Sequence, residues 1–433
     1  MRNTLAILVI ISSLFGGCKN NPLLSDNGYV EIQLENNIKN FKPLLLGNLN
    51  CNVTYIPLES GPSSILKQIN ALDISDNLIV AGDPYNIVLF SKAGEYISKV
   101  GRQGKGPNDY AIKGELKIDE PDIYVPCLIK NSMFIYCPSG ENARIIPFPK
   151  RHFSLELQNW MPTADSTFIV QVPNFSGRER DRIIEINYEG EVIRRWDNRS
   201  FFDILTPKLG ESSMHLAKGS NMTDGQIYLF QDRVRVTHRT NDTIFEIQND
   251  ILKPVYVINR GTLGLPYECL GVPVNSPMFD RVKGAMVVSK IFETTNHLLF
   301  TVRFGKSYPF KFKRPPVDTG IALIEKKYDI LGVYNKATTE FFFVAPSGVD
   351  HQLEPLGIEN DIDGGINFAP MYSPNERTLV SWFNAYDLKA HVASEAFRNS
   401  TPKYPERKRE LEALANRLKD DDNPVLMVVT FEE

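Results

Sequence analysis

Residues Ile65–Gly101 read ILKQINALDISDNLIVAGDPYNIVLFSKAGEYISKVG. Three apolar, β-branched runs stand out: QINALDI at 68–74, NLIVAGD at 77–83 and NIVLFSK at 86–92. Ala93-Gly94 then marks a turn before EYISKVG at 95–101. Four short strands punctuated by hairpin residues are the content of one propeller blade.

The unit recurs on both sides of this stretch. IYVPCLI, SMFIYC, Ser139-Gly140 and ARIIPF follow over 123–148. TFIVQVP, RIIEINY, Glu189-Gly190 and EVIRRWD fill 167–197, and QIYLFQD, VRVTHRT, TIFEIQ and PVYVINR fill 226–260. HLLFTVRF, GIALIEKKYD and TTEFFFVA occupy 297–345. NFAPMYS and TLVSWFN begin a last unit that needs a further strand from near the C-terminus. A spacing of about 40–60 residues per unit marks an array in which each sheet buries its faces against its neighbours. The count gives six blades, with five and seven as the neighbouring counts that so degenerate a repeat allows. The expected class is all-β: a six-bladed β-propeller with four-stranded blades, plus a short C-terminal amphipathic helix.

Both ends of the array bear on closure. The C-terminal run Pro424–Phe431 (PVLMVVTF) and the early run Val53–Leu58 (VTYIPL) each lack a partner within their own units. Pairing them closes the ring and removes two exposed sheet edges. Ahead of the C-terminal run, PERKRELEALANRL at 405–418 predicts a helix. Pro405 opens it, and Leu411, Leu414 and Leu418 form an apolar stripe toward the propeller. Asp420–Asp422 follow at the end where the helix dipole favours cations. Lys306–Thr319, rich in proline and basic residues, reads as an inserted loop.

The first residues form a separate unit. Arg2 precedes an apolar run, Leu5–Leu14, too short to span a bilayer and suited to a secretory signal. Phe15-Gly16-Gly17-Cys18 resembles the lipobox of bacterial lipoproteins, which implies acylation at Cys18 and cleavage before it. The expected organisation is a signal peptide over 1–17, a tether and first strand region over 18–50, and the closed propeller over 51–433. Of the remaining cysteines, Cys127 and Cys137 fall on adjacent predicted strands, and read either as a disulfide or as two free thiols.

Three further segments resemble signatures of the six-bladed β-propeller lipoproteins common in Bacteroidetes-type bacteria. Val100–Tyr110 (VGRQGKGPNDY) is similar to the G-R-x-G-x-G-P-x-E-Y motif, with Asp109 in place of the commoner Glu. Asn360–Pro370 (NDIDGGINFAP) is similar to N-D-x-D-G-G, and Asp421–Leu426 (DDNPVL) to a third signature. The resemblance implies a fold and an export route, not a reaction.

Composition narrows the function. With 48 Lys and Arg against 52 Asp and Glu, the net charge of −4 gives no electrostatic case for a nucleic-acid partner. No H-E-x-x-H, G-x-S-x-G or C-x-x-C pattern is present, and the six His are isolated along the chain. Two loops carry candidate binding groups. The glycine-rich 101–110 loop offers Arg102 and Lys105, but precedes no helix N-terminus and reads first as an inter-blade turn. Asn360, Asp361, Asp363 and Asn367 offer alternating oxygens. They suit Ca²⁺ at Asp361 and Asp363 if the loop opens on the axial channel, or an Asx turn if it does not. Trp160, Trp196 and Trp382 suit either sugar stacking or inter-blade core.

The leading expectation is a monomeric envelope lipoprotein, anchored to the outer membrane on its periplasmic or surface side. Its axial face would hold a glycan or peptide without catalysis. The alternatives are a hydrolase or lyase with a metal-assisted site in the central channel, and a subunit of an outer-membrane assembly.

Overall fold

The computed structural model describes residues 28–432, except 112, 149–158, 173, 175–176, 199–200, 203–224, 239–240, 271–275, 306–328 and 346–356. The predicted loop at Lys306–Thr319, nearly all of GIALIEKKYD, Cys18, His152, His215 and His351 lie outside the described residues.

Six sheets form the ring; within each blade the strands run antiparallel and, in the first five blades, in chain order. The innermost strands are Ala71–Ile74, Lys117–Asp119, Trp160–Pro162, Gln226–Phe230, Val287–Glu293 and Tyr372–Asn375. The sixth blade is composite. Val425–Phe431 pairs antiparallel with Cys51–Pro57 in continuous register, Val425 opposite Pro57 and Phe431 opposite Cys51, so the two ends of the array share one sheet.

Central strands such as Ser132–Tyr136 and Thr167–Gln171 are buried along their whole length, so both faces of a blade are apolar and the cores lie between blades. One cluster joins Ile79, Val88 and Phe90 of blade one to Leu426 and Val380 of blade six. Another joins Leu89 and Val80 of blade one to Phe134 and Val125 of blade two. Trp160 sits in the two/three core and Trp196 in the three/four core, each 2% exposed, and Trp382 packs against the six/one core. The tryptophans are therefore inter-blade packing, not a stacking surface.

The hairpin glycines read from the sequence have a repeated role. Gly94, Gly140 and Gly190 all have φ between +84° and +89°. A Cβ on Gly94 would overlap the Pro57 carbonyl oxygen, on Gly140 that of Lys99, and on Gly190 that of Pro147. In each case the outer hairpin presses against the last strand of the preceding blade. Glu59 N donates to Gly94 O at 2.8 Å, and Gly101 N to Gly140 O at 3.0 Å. Only glycine combines the left-handed turn with this backbone approach.

The described part of the N-terminal region does more than tether. Val30–Gln33 adds a fifth, parallel strand outside Ile251–Asn259 of blade four. Phe41–Lys42 does the same on Phe341–Val344 of blade five, and Leu45 bridges Glu359. Leu34 and Leu46 are fully buried beneath this strap. It covers two outer edges that would otherwise present unpaired amides and carbonyls.

Between the second and third strands of blade six lie three helices, Ala385–Val392 (α2), Glu395–Asn399 (α3) and Pro405–Arg417 (α4); Phe279–Gly284 (α1) precedes blade five. The predicted stripe holds at Leu411 and Leu414, which pack with Leu388, Phe397 and Val425; Leu418 is partly buried beside them. Lys389 of α2 supplies the cation the α4 terminus needs, donating to Leu418 O at 2.9 Å and pairing with Asp420 at 2.7 Å.

The possible Cys127–Cys137 disulfide is not formed. Cys127 stands opposite Ser132 while Tyr136 stands opposite Ile123, so the two cysteines lie at opposite ends of one strand pair. Cys51, Cys127, Cys137 and Cys269 are free thiols.

Candidate functional site

The inner strands enclose an axial channel of about 530 Å³ to which all six blades contribute. Two carboxylates in its wall are held from behind. Asp73 of blade one is buried; it accepts from Ile118 N at 2.6 Å and from the Tyr372 hydroxyl, which ties blades one, two and six together. Glu293 of blade five is also buried. It accepts from Tyr228 Oη at 2.9 Å, Tyr256 Oη at 3.1 Å and Lys336 Nζ at 2.9 Å. Burial and the adjacent carboxylates push the Tyr228 and Tyr372 phenols well above their usual range, so both remain donors.

Four other charged groups are less constrained, among them Asp119, exposed at the end of the blade-two inner strand. Glu115 precedes the inner strand of blade two, Lys117 opens that strand, and Lys290 comes from blade five. Glu115 is exposed within the channel and no hydrogen bond holds its carboxylate. Enclosure by the channel walls raises its pKa, aided by Asp73 and opposed by Lys117 and Lys290. Lys290 donates to Met371 O at 3.1 Å, and burial lowers its pKa against the pull of Glu115 and Asp329. The Lys117 ammonium lies 5.4 Å from the Tyr372 ring centroid. Two carboxylates, Glu115 and Asp119, and two ammoniums, Lys117 and Lys290, thus line the channel from blades two and five.

The sequence-predicted site residues lie elsewhere. The 360–367 loop does not line the channel; it fastens the outer wall. Asp363 Oδ1 accepts from Asn360 Nδ2 at 2.7 Å, Gly365 N at 2.8 Å and Tyr55 Oη at 3.1 Å. Asp361 Oδ1 accepts from Gly47 N at 2.7 Å, and the carbonyls of Asp361 and Ile362 accept from Lys403 N and Tyr404 N. His391 Nε2 donates to Gly364 O at 2.9 Å. The loop therefore joins the strap, the closing strand and the helices. With Asp363 Oδ1 engaged by three donors and Asp361 Oδ1 turned to the strap, the pair does not form a converging Ca²⁺ ligand set. Among the described residues no group of three or more His, Cys, Asp or Glu is placed to hold a metal ion. Asn367 lies half-buried in the same loop.

Arg102 and Lys105 do not reach the channel either. Arg102 Nε and Nη2 each lie 3.2 Å from an Asp109 carboxylate oxygen, and Gly106 N donates to Asp109 at 2.9 Å. Lys105 is exposed on the surface. Tyr110 is fully buried between blades one and two. The third signature is another fastening: Asn423, fully buried, accepts from Leu66 N at 2.7 Å and donates to Glu59 O at 2.8 Å and Ser64 O at 2.9 Å.

No described histidine faces the channel. His238 Nδ1 accepts from Gln171 Nε2 at 2.7 Å and Arg182 Nε at 2.9 Å, and burial holds its pKa well below the usual range, so it is neutral. The channel groups were missed in the sequence because they come from separate blades. The one available signal was charge at or just before an inner strand.

Fold and site together define a six-bladed β-propeller whose recognisable motifs serve packing and closure. The chain belongs to the family described as domain of unknown function DUF4934, matched over residues 29–430. Its fold is similar to that of a "Putative exported protein" from Bacteroides fragilis, at 13% identity and TM-score 0.62, over 93% of this chain and 99% of that one. Fainter likenesses include a DUF4221 member from Bacteroides vulgatus, at 11% identity and TM-score 0.43 over 67% and 84% of the two chains. Virginiamycin B lyase from Staphylococcus aureus is similar at 10% identity and TM-score 0.40, over 88% and 100%. No curated protein matches the chain.

Proposed function

We propose that this protein is an exported, lipid-anchored binding protein that holds a small polar ligand, a glycan or a peptide, in its axial channel. The observation that carries the reading is the juxtaposition of Glu115, Lys117 and Lys290 around a cavity of about 530 Å³. Binding sites are concave, with a few polar groups that fix the ligand's orientation. With the motif residues engaged elsewhere, these side chains and Asp119 are the charge available to a ligand in the channel. Among the described residues no helix is long and apolar enough to cross a membrane. Attachment in this reading falls to Cys18, and Cys18→Ser should release the protein from the membrane fraction.

The test is a thermal-shift series with N-acetylglucosamine, galacturonate and alanylalanine on the unmodified protein, Glu115→Gln and Lys290→Met. At least one probe should raise the Tm of the unmodified protein and lose that effect in both variants. A rise preserved in both variants would place binding outside the channel and overturn the reading.

A further inference from the structure

Beside the channel lies a second cavity of about 490 Å³, formed over blades one and two and lined by Asn70, Asp83, Gln103, Lys113 and Glu115 among others. Glu115 is thus part of the wall of both cavities. Two exposed apolar residues stand next in the chain to this lining. Tyr85, 55% exposed, follows the lining residues Asp83 and Pro84, and Ile129, also 55% exposed, follows the lining residue Leu128.

The platform at Tyr85 is rigidly built. Asp83 Oδ1 accepts from the backbone amides of Tyr85 at 2.7 Å and Asn86 at 2.6 Å, which fixes the turn. Tyr110 Oη, rooted in the inter-blade core, donates to Tyr85 O at 3.3 Å. Lys113 Nζ donates to the carbonyls of Asp83 and Asn86 from inside the cavity. The Lys67 ammonium lies 5.1 Å from the Tyr85 ring centroid. A turn fastened at so many points nevertheless presents its largest apolar side chain to water.

We propose that the two cavities are halves of one elongated site for a linear oligosaccharide, joined at Glu115, with Tyr85 as the stacking platform at the outer end. The inference rests on the channel reading above and gives it a substrate class. A pyranose ring offers a flat C–H face to an aromatic ring and a rim of hydroxyls to carboxylates and amides. The second cavity supplies the polar partners in Glu115, Asn70 and Gln103, and the exposed Tyr85 ring next to its lining residue Pro84 supplies the aromatic face. Each cavity alone falls in the ~300–1,000 Å³ range of small-ligand sites, so together they suit a ligand longer than a single sugar.

The test is isothermal titration of the full chain with chitotetraose, cellotetraose and maltotetraose, each beside its monosaccharide, and with tetraalanine as the peptide arm. Trp160 gives an independent optical readout, since its indole donates to Glu115 O at 3.1 Å. At least one tetrasaccharide should bind more tightly than its monosaccharide. Tyr85→Ala should weaken that tetrasaccharide by about tenfold, the upper range of one aromatic contact, and leave the monosaccharide unchanged. Glu115→Gln should weaken both. Melting curves matching the unmodified protein confirm that both variants fold. Absence of binding by all three tetrasaccharides at millimolar concentration overturns the proposal, as does preferential binding of tetraalanine. An equal effect of Tyr85→Ala on both sugar lengths also overturns it, and leaves the channel reading standing if Glu115→Gln still weakens binding. Sugar binding indifferent to Glu115→Gln overturns both.

Discussion

Gly140→Ala tests the inter-blade packing at its tightest described turn. Gly140 has φ +85°, where an alanine costs about 1 kcal/mol more than glycine. An alanine Cβ there would also sit inside 3.0 Å of Lys99 O and 3.1 Å from the Lys99 carbonyl carbon. Neither atom can step aside as a side chain would. Relief requires moving the blade-two hairpin off blade one and stretching the 3.0 Å bond from Gly101 N to Gly140 O. Overpacking of this kind costs about 1–3 kcal/mol, so the total falls at about 2–4 kcal/mol. For the roughly 330 described residues at ~2.1 cal/mol/K each, that lowers the Tm by about 3–6 °C. Differential scanning calorimetry at fixed scan rate reads the shift. Gly61→Ala is the control: its Cβ would meet nothing closer than Ser64 Oγ at 3.5 Å, and its φ is not in the left-handed range. Equal melting of the two variants would refute the claim that these glycines set the blade-to-blade approach.

Three further outcomes are expected. Asn423→Ala leaves the Leu66 amide and the carbonyls of Glu59 and Ser64 without their buried partner, and should cost on the order of 3–5 kcal/mol in urea unfolding. Burial lowers the Lys113 pKa from 10.5 to about 8, so between those values the unfolded chain binds the extra proton; stability should rise over that range and flatten there in Lys113→Met. Alkylation with iodoacetamide in denaturant, without reductant, should label Cys51, Cys127, Cys137 and Cys269 alike. In the native protein Cys51 should resist, since burial and the Asp361 charge push its thiol up to about 12.

The blades were legible wherever a strand is buried on both faces, because it then reads as a continuous apolar run between turn residues. Val287–Glu293, Lys117–Asp119 and Trp160–Pro162 escaped notice. The latter two have three residues each, and all three line the channel, which removes the apolar alternation that betrays a strand. The strap escaped for another reason: Val30 pairs with Tyr256 and Phe41 with Phe343, partners that no local pattern announces. The 360–367 loop shows a degeneracy of chemistry. Asn, Asp and Gly in alternation suit a cation, but the same oxygens serve equally well as acceptors for backbone amides, and here they do. Glu115 and Lys290 belong to one site only after the ring brings blades two and five face to face.

The closing blade also dictates an order of assembly. Leu66 and Asn423, bonded directly, stand 357 residues apart, and residues 30–33 and 41–42 wait for strands made two to three hundred residues later. A chain emerging from its N-terminus therefore delivers its own clasp first and the eye for that clasp last. Until Val425–Phe431 pairs, Cys51–Pro57 has no neighbour on that edge, and a pairing of such sequence separation is of the kind that closes slowly.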